Sequence, residues 1–211
     1  LTRIAIFGAT GGTGKQLVKQ ALAAGYEVVA YARDPSKLKI NHERLTVVPG
    51  ELSDQALIEN AVRGAGAVLS ALGPHGRSRD KPITQGMQNI IVVMKRQGVH
   101  RLIMTSTLSV KDPGDKPDLR TNAMVNLVRI TMHAAYEDIV SAAQAVRASD
   151  LDWTIVRLAL LNNGPITGKI RTGYVGRGEV GTRISRADIA DFMLKQIDDV
   201  RYLCQAPVIS N

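Results

Sequence analysis

Short apolar runs alternate along the chain with longer stretches whose apolar residues recur at helical spacing. Ile4–Phe7, Tyr26–Ala32, Leu45–Val48, Ala67–Leu72, Leu102–Thr107 and Trp153–Val156 have the length and continuity of strands buried on both faces. Between them, Gln16–Leu22, Gln55–Val62, Ile83–Gln97, roughly Asn122–Ala148 and Ala187–Ile197 read as helices. The punctuation agrees: Gly25 and Gly98 follow helical runs, and Ser185-Arg186-Ala187-Asp188 has the form of a capping box. Strands alternating with helices predict an α/β fold with a parallel sheet, right-handed crossovers, and ligands at the carboxyl ends of its strands. At 211 residues and 45% apolar content, one domain spanning 1–211 buries a full core.

The junction after the first strand carries the strongest chemical signal. Gly8-Ala9-Thr10-Gly11-Gly12-Thr13-Gly14 follows Ile4–Phe7 and leads into the first helix. A helix amino terminus presents unpaired N–H groups and a partial positive charge, so a diphosphate can dock there if no side chain obstructs it. Gly8, Gly11 and Gly14 supply that clearance, and the second strand completes the βαβ unit within about thirty residues. The prediction is a Rossmann-like, doubly wound sheet that binds a dinucleotide.

At the end of the second strand, where NAD enzymes place an acid against the ribose, the chain reads Ala32-Arg33-Asp34-Pro35-Ser36-Lys37. Arg33 can pair in-plane with a 2′-phosphate and Lys37 can add a second charge, which favours NADP(H) over NAD(H). The other reading leaves both cations in solvent and gives the ribose to Asp34.

Charge and composition narrow the partners. The net charge of +8, from 27 Lys and Arg against 19 Asp and Glu, raises nucleic acid as a partner. The cations are scattered, however, and aromatic residues for base stacking make up only 4% of the chain, so no nucleic acid is expected. His42, His75, His100 and His133 lie far apart and Cys204 is the single cysteine, so neither a metal site nor an internal disulfide is expected. No apolar run has membrane-spanning length, and the first residues enter a strand without a charged and then apolar leader. The expectation is a cytoplasmic protein without a membrane partner, monomeric or weakly dimeric.

The loops at the carboxyl ends of the later strands nominate the acceptor side. They are Ala71-Leu72-Gly73-Pro74-His75-Gly76, Thr105-Ser106-Thr107 with the loop Asp112–Pro117, and Arg157 to Pro165. Ser106 reads either as a group facing the nicotinamide or as a satisfied strand-end hydroxyl. Arg157 reads as a buried ion pair or backbone anchor rather than a catalytic group.

Taken together, Ile4–Gly14, Tyr31–Asp34, Gln85–Ile90, Thr105-Ser106 and Ile184–Ala190 resemble the atypical short-chain dehydrogenase/reductases. The compact NAD(P)H-binding branch is meant, with the biliverdin-IXβ reductase/flavin reductase and NmrA-like groups the most similar. The resemblance implies that Gly8, Thr10, Gly11, Gly12, Thr13 and Gly14 hold the diphosphate and that Arg33 and Lys37 meet the 2′-phosphate. It also implies Glu51 and Leu52 beside the adenine, Leu72 and Gly73 along the middle of the cofactor, and Thr105 and Ser106 near the nicotinamide.

Two departures shape the expected chemistry. Typical short-chain dehydrogenases pair a tyrosine with a lysine four residues later, and the ammonium lowers the phenol pKa. Here Tyr136 is followed at that spacing by Val140, and a tyrosine without the neighbouring ammonium can donate a proton but is a poor base. A structural role for Tyr136 stands equally open. Where the flavin/biliverdin reductases carry a histidine after the sixth strand, this chain has the apolar stretch Leu158–Leu161. Carbonyl reduction needs a placed acid or oxyanion donor, whereas a conjugated acceptor spreads the incoming charge and takes its proton from solvent. The expectation is therefore an NADPH-dependent reductase of a flavin, quinone or linear tetrapyrrole, with flavin as substrate rather than resident cofactor. Leu108, Leu158, Leu160 and Leu161 would form an apolar pocket, and Ser106 and Tyr136 are the candidate catalytic groups. Two rivals stay open: a non-catalytic NADP(H) redox sensor, and a sugar epimerase or carbonyl reductase working through Ser106 and Tyr136.

Overall fold

Alternating strands and helices follow the apolar blocks. The computed structural model describes residues 2–73 and 80–211, so the Pro74–Gly76 part of the loop expected beside the cofactor, His75 included, lies outside the described residues. In chain order the first half runs β1 (Arg3–Phe7), α1 (Gly12–Ala23), β2 (Glu27–Ala32), β3 (Leu45–Pro49), α2 (Gln55–Val62), β4 (Ala67–Ser70), α3 (Pro82–Arg96) and β5 (Arg101–Thr107). The second half runs α4 (Leu119–Thr131), α5 (His133–Arg147), β6 (Asp152–Leu158), β7 (Leu160–Asn162), β8 (Arg171–Gly173), β9 (Arg183–Ser185), α6 (Arg186–Lys195) and β10 (Val208–Ser210).

The main sheet has the order β3-β2-β1-β4-β5-β6-β10-β8. It is parallel from β3 to β10 and closes on the antiparallel edge strand β8. The strand order reverses between β1 and β4, the switch point where doubly wound sheets open a crevice for ligands. Two apolar layers cover the faces. One gathers Phe7, Tyr31, Ile58, Met87, Met94 and Ala142 beneath α2, α3 and α5. The other gathers Ile6, Leu17, Val28, Ile103, Ile189 and Met193 beneath α1 and α6.

Three expectations need correction. The helix expected over Asn122–Ala148 is two helices, α4 and α5, parted at Met132 with φ −129° and ψ 43°. Just before the break the Thr131 hydroxyl donates to the Leu127 carbonyl at 2.8 Å, a back-bond of the kind that bends helices. Beyond it α5 is fixed by α3, because buried Asp138 accepts from the amides of Ile83 and Thr84 at 3.0 and 2.8 Å and so caps α3 from outside. Strands β7 to β10 were not expected; each is three residues long, too short for its alternation to stand out. The fourth strand ends at Ser70 rather than Leu72. The cap at Ser185 forms, its hydroxyl accepting from the Asp188 amide at 3.0 Å. The Asp188 carboxylate meanwhile accepts from the Thr167 and Gly168 amides and from the Asn211 side chain.

Candidate functional site

At the switch point the glycine loop is fitted by backbone alone. Gly8 has φ +76°, and a Cβ there would stand 2.7 Å from the Ala71 carbonyl at the end of β4. A Cβ on Gly14 would strike the Gly8 carbonyl oxygen and come within 2.8 Å of the Ala9 Cα. Glycine is thus required twice, once for the left-handed turn and once for the seating of helix on strand. Gly11 is the N-cap of α1 without a side-chain cap, so neither Thr10 nor Thr13 fills that role. The Lys15 amide bonds the Gly11 carbonyl at 2.9 Å, which leaves the amides of Gly12, Thr13 and Gly14 at the open end of the helix. No acid stands in the first turn to compete for them. A diphosphate fits this cradle, because the space a Cβ would fill and the free donors coincide.

At the carboxyl end of β2, Arg33 is exposed. Asp34, the alternative ribose ligand, is engaged: its carboxylate accepts from the Ser36 amide and hydroxyl at 3.2 and 2.6 Å and pairs with Lys37 at 3.2 Å. The Ser36 and Lys37 bonds hold its carboxyl below the usual range. Lys37 is therefore turned toward Asp34, while Arg33 has no ion pair among the described residues.

Glu51 and Leu52 follow β3, their carbonyls held by the Tyr31 hydroxyl at 2.7 Å and the Asn89 side chain at 2.8 Å. Burial, with Asp54 and Glu51 nearby, pushes the Tyr31 phenol up to about 12, so it stays a donor. Leu72 packs against the first apolar layer, and beside it Gly73 has open space where a Cβ would project.

On the acceptor side, Thr105 donates to the Ser70 carbonyl at 3.4 Å, tying β5 to β4. Ser106 is 5% exposed and its hydroxyl has no hydrogen-bond partner among the described residues. Just beyond it lie two neighbouring clefts of about 400 and 260 Å³ that share Leu108, Met124, Ala159 and Leu160. The smaller one is walled by Leu158, Val125, Val128, Ile139 and Tyr136. Leu161, expected in the wall, is on β7 and lines neither cleft. Ser106 itself lines neither cleft; Tyr136 shares the smaller one with the three residues that follow it, Thr107, Leu108 and Ser109. Val140 packs against the apolar layer instead of presenting an ammonium. Lys81 reaches α5 from the start of α3, where its ammonium is held by Ser141 at 3.0 Å and Glu137 at 3.6 Å.

The clefts keep their shape through a buried anchor. Arg157 is fully buried, donating to the Ala206 and Val110 carbonyls and forming a two-pronged pair with Asp115 at 2.7 and 2.8 Å. Burial alone would raise the Asp115 carboxyl, but the Arg157 guanidinium and the Asp112 and Val175 amides outweigh it and hold it below its ordinary value. This pair pins the 109–118 loop, and hence the entry to α4, against β6.

Residues 8–200 match the model of a family described as NAD(P)H-binding. The chain belongs to this NAD(P)H-binding family. Its relatives include a chloroplastic protein of Arabidopsis thaliana, 28% identical over 80% of this chain. This chain spans 62% of that protein's length. The oxidoreductase aflX of Aspergillus parasiticus is 26% identical, with 96% of this chain and 80% of that protein covered. Among solved structures, a short-chain dehydrogenase/reductase from Veillonella parvula in complex with NADP has a TM-score of 0.81 at 22% identity, covering 100% of this chain and 94% of that one. ChuY, an anaerobillin reductase from Escherichia coli O157:H7, has a TM-score of 0.78 at 22% identity, covering 99% and 97%. These structures share the fold of the NAD(P)H-binding chain.

Sequence reasoning missed what α4 contributes to the site. Arg120, Thr121, Met124, Val125 and Val128 wall the clefts, yet no α4 residue is buried, so its apolar positions do not form the stripe that marks a core helix. Val175, Val180 and Thr182 come from the unforeseen short-strand region. In this NAD(P)H-binding chain no helix among the described residues is long and apolar enough to cross a membrane.

Proposed function

We propose that this chain is an NADPH-dependent reductase that passes hydride to a planar conjugated acceptor: a flavin, a quinone or a linear tetrapyrrole. The carrying observation is the smaller, apolar cleft just beyond Ser106, where among the described residues Tyr136 is the single titratable side chain in the lining and no lysine accompanies it, while the larger cleft beside it adds Asp118 and Arg120. Such a site binds and orients a flat apolar molecule, which is most of what a conjugated acceptor requires. NADPH, when bound at the glycine loop, supplies the hydride.

The residue roles follow from this reading. Gly8, Gly11, Gly12 and Gly14, with Thr10 and Thr13, hold the diphosphate against backbone amides, and Arg33 meets the 2′-phosphate because Asp34 is already engaged. Glu51, Leu52, Leu72 and Gly73 flank the nucleotide. Ser106 hydrogen bonds the nicotinamide amide or the acceptor, and Tyr136 is a cleft wall that can donate a proton. Partners are the nucleotide and a small acceptor, in a cytoplasmic protein that is monomeric or weakly dimeric.

The test is NADPH oxidation with FMN, riboflavin, menadione and biliverdin, beside ketone and sugar substrates. Turnover of the conjugated acceptors, with Tyr136→Phe retaining at least a third of the rate, is the expected result. Tight NADPH binding without consumption by any acceptor would replace the proposal with a redox sensor. Turnover confined to ketones or sugars, lost in Tyr136→Phe, would replace it with the carbonyl or epimerase chemistry.

A further inference from the structure

Arg186 is the first residue of α6, and its side chain crosses to the first turn of α1. A Cβ on Gly12 would stand 2.7 Å from both its Cδ and its Nε, so the aliphatic stem and the guanidinium lie directly on the Gly12 backbone. The start of α6 is fastened to the body of α1, with the Gln20 side chain, about two turns beyond Gly12, donating to the Ala187 carbonyl at 2.9 Å. Among the described residues the guanidinium makes one hydrogen bond, to a neutral group, Nη1 donating to Asn163 Oδ1 at 2.7 Å. None of the ion pairs among the described residues includes Arg186.

That is an unfavourable place for an unaccompanied cation. The α1 amino terminus carries partial positive charge with no acid in its first turn, so a guanidinium held against it is repelled, while Asp188 in the first turn of α6 has its carboxylate engaged by Thr167, Gly168, Ser185 and Asn211. The arrangement becomes favourable once an anion lies between the Gly12–Gly14 amides and Arg186, because charge-assisted bonds then form on both sides. We infer that Arg186 is a diphosphate ligand of the bound nucleotide, closing from α6 the cradle that the glycine loop opens from α1. This rests on the NAD(P)H-binding reading of the loop. Through Asn163, one residue beyond β7, the same side chain joins the diphosphate to the strand that carries Leu160 of the acceptor cleft.

The diphosphate is common to NADPH and NADH, whereas the 2′-phosphate is not, and this separates Arg186 from Arg33. Arg186→Met keeps the stem packed on Gly12 and removes the charge. Calorimetric titration of this variant should show affinity for NADPH and NADH falling together, by about tenfold to a hundredfold, the range of a lost charge-assisted bond. Binding of 2′-AMP, which has no diphosphate, should be unchanged, and Arg186→Lys should recover part of the loss. Arg33→Ala should do the reverse, losing NADPH and 2′-AMP while sparing NADH. The melting temperature of the free Arg186→Met protein should stay level or rise. The inference is overturned by unchanged nucleotide affinity in Arg186→Met, by a loss confined to NADPH, or by a loss that extends to 2′-AMP. Should the unaltered protein take up neither dinucleotide, the cofactor reading falls first and the inference falls with it.

Discussion

Ser106 is a buried hydroxyl with no hydrogen-bond partner among the described residues, and that combination separates function from stability. Removing a polar group that already lacks a partner relieves desolvation, so Ser106→Ala should melt at or above the temperature of the parent protein. If the hydroxyl meets the nicotinamide or acceptor, the same variant should lose about tenfold in kcat/KM, the size of one hydrogen bond. Gly14 behaves in the opposite way. An alanine there drives a Cβ into the Gly8 carbonyl, so Gly14→Ala should lose about 1–3 kcal/mol in a denaturant titration along with nucleotide binding. The glycine loop was legible in the sequence because its geometry is local, a strand, a turn and a helix in immediate succession. Arg186 was visible only as part of a motif, since its partner Gly12 lies far away along the chain and becomes adjacent only when α6 packs on α1.

Among the elements, the 109–118 loop and α4 shape the acceptor side although α4 buries none of its residues. Their position depends on the Arg157–Asp115 pair, with Asp188 playing a similar part for the 167–168 turn. For both acids burial alone would raise the carboxyl, but hydrogen bonds outweigh it and leave each below its ordinary value. An acid with a depressed folded pKa stabilises the fold fully above its unfolded pKa of about 4, and that stabilisation disappears as pH falls through the depressed value. Urea midpoints should therefore be level near neutrality and decline below about pH 4. Asp115→Asn should lower the midpoint at pH 7 and flatten the acid decline, because the titrating group is gone and Arg157 has lost its counter-charge. The break at Met132 escaped the sequence because no Gly or Pro marks it. The Thr131 back-bond and the docking of Asp138 onto α3 decide it, and only the second is tertiary.

For the whole molecule, the nucleotide reading predicts linkage between binding and global stability. A ligand at about a hundred times its dissociation constant adds about 2.7 kcal/mol, which in a chain of this size corresponds to roughly 5–10 °C in melting temperature. NADPH should produce that shift in a calorimetric scan, and Arg33→Ala should reduce it for NADPH while leaving the smaller NADH shift in place. The sequence by itself determined the α/β order, the family's glycine-loop turn between β1 and α1, and the cap at Ser185, because each is written in neighbouring residues through periodicity, glycine clearance and caps. Tertiary structure alone decided the three-residue strands that finish the sheet, the docking of α5 onto α3 through Asp138, the burial of Arg157 against Asp115, and the seating of Arg186 on Gly12. Those features join residues distant in the chain, where burial and charge pairing rather than local conformational preference select the outcome.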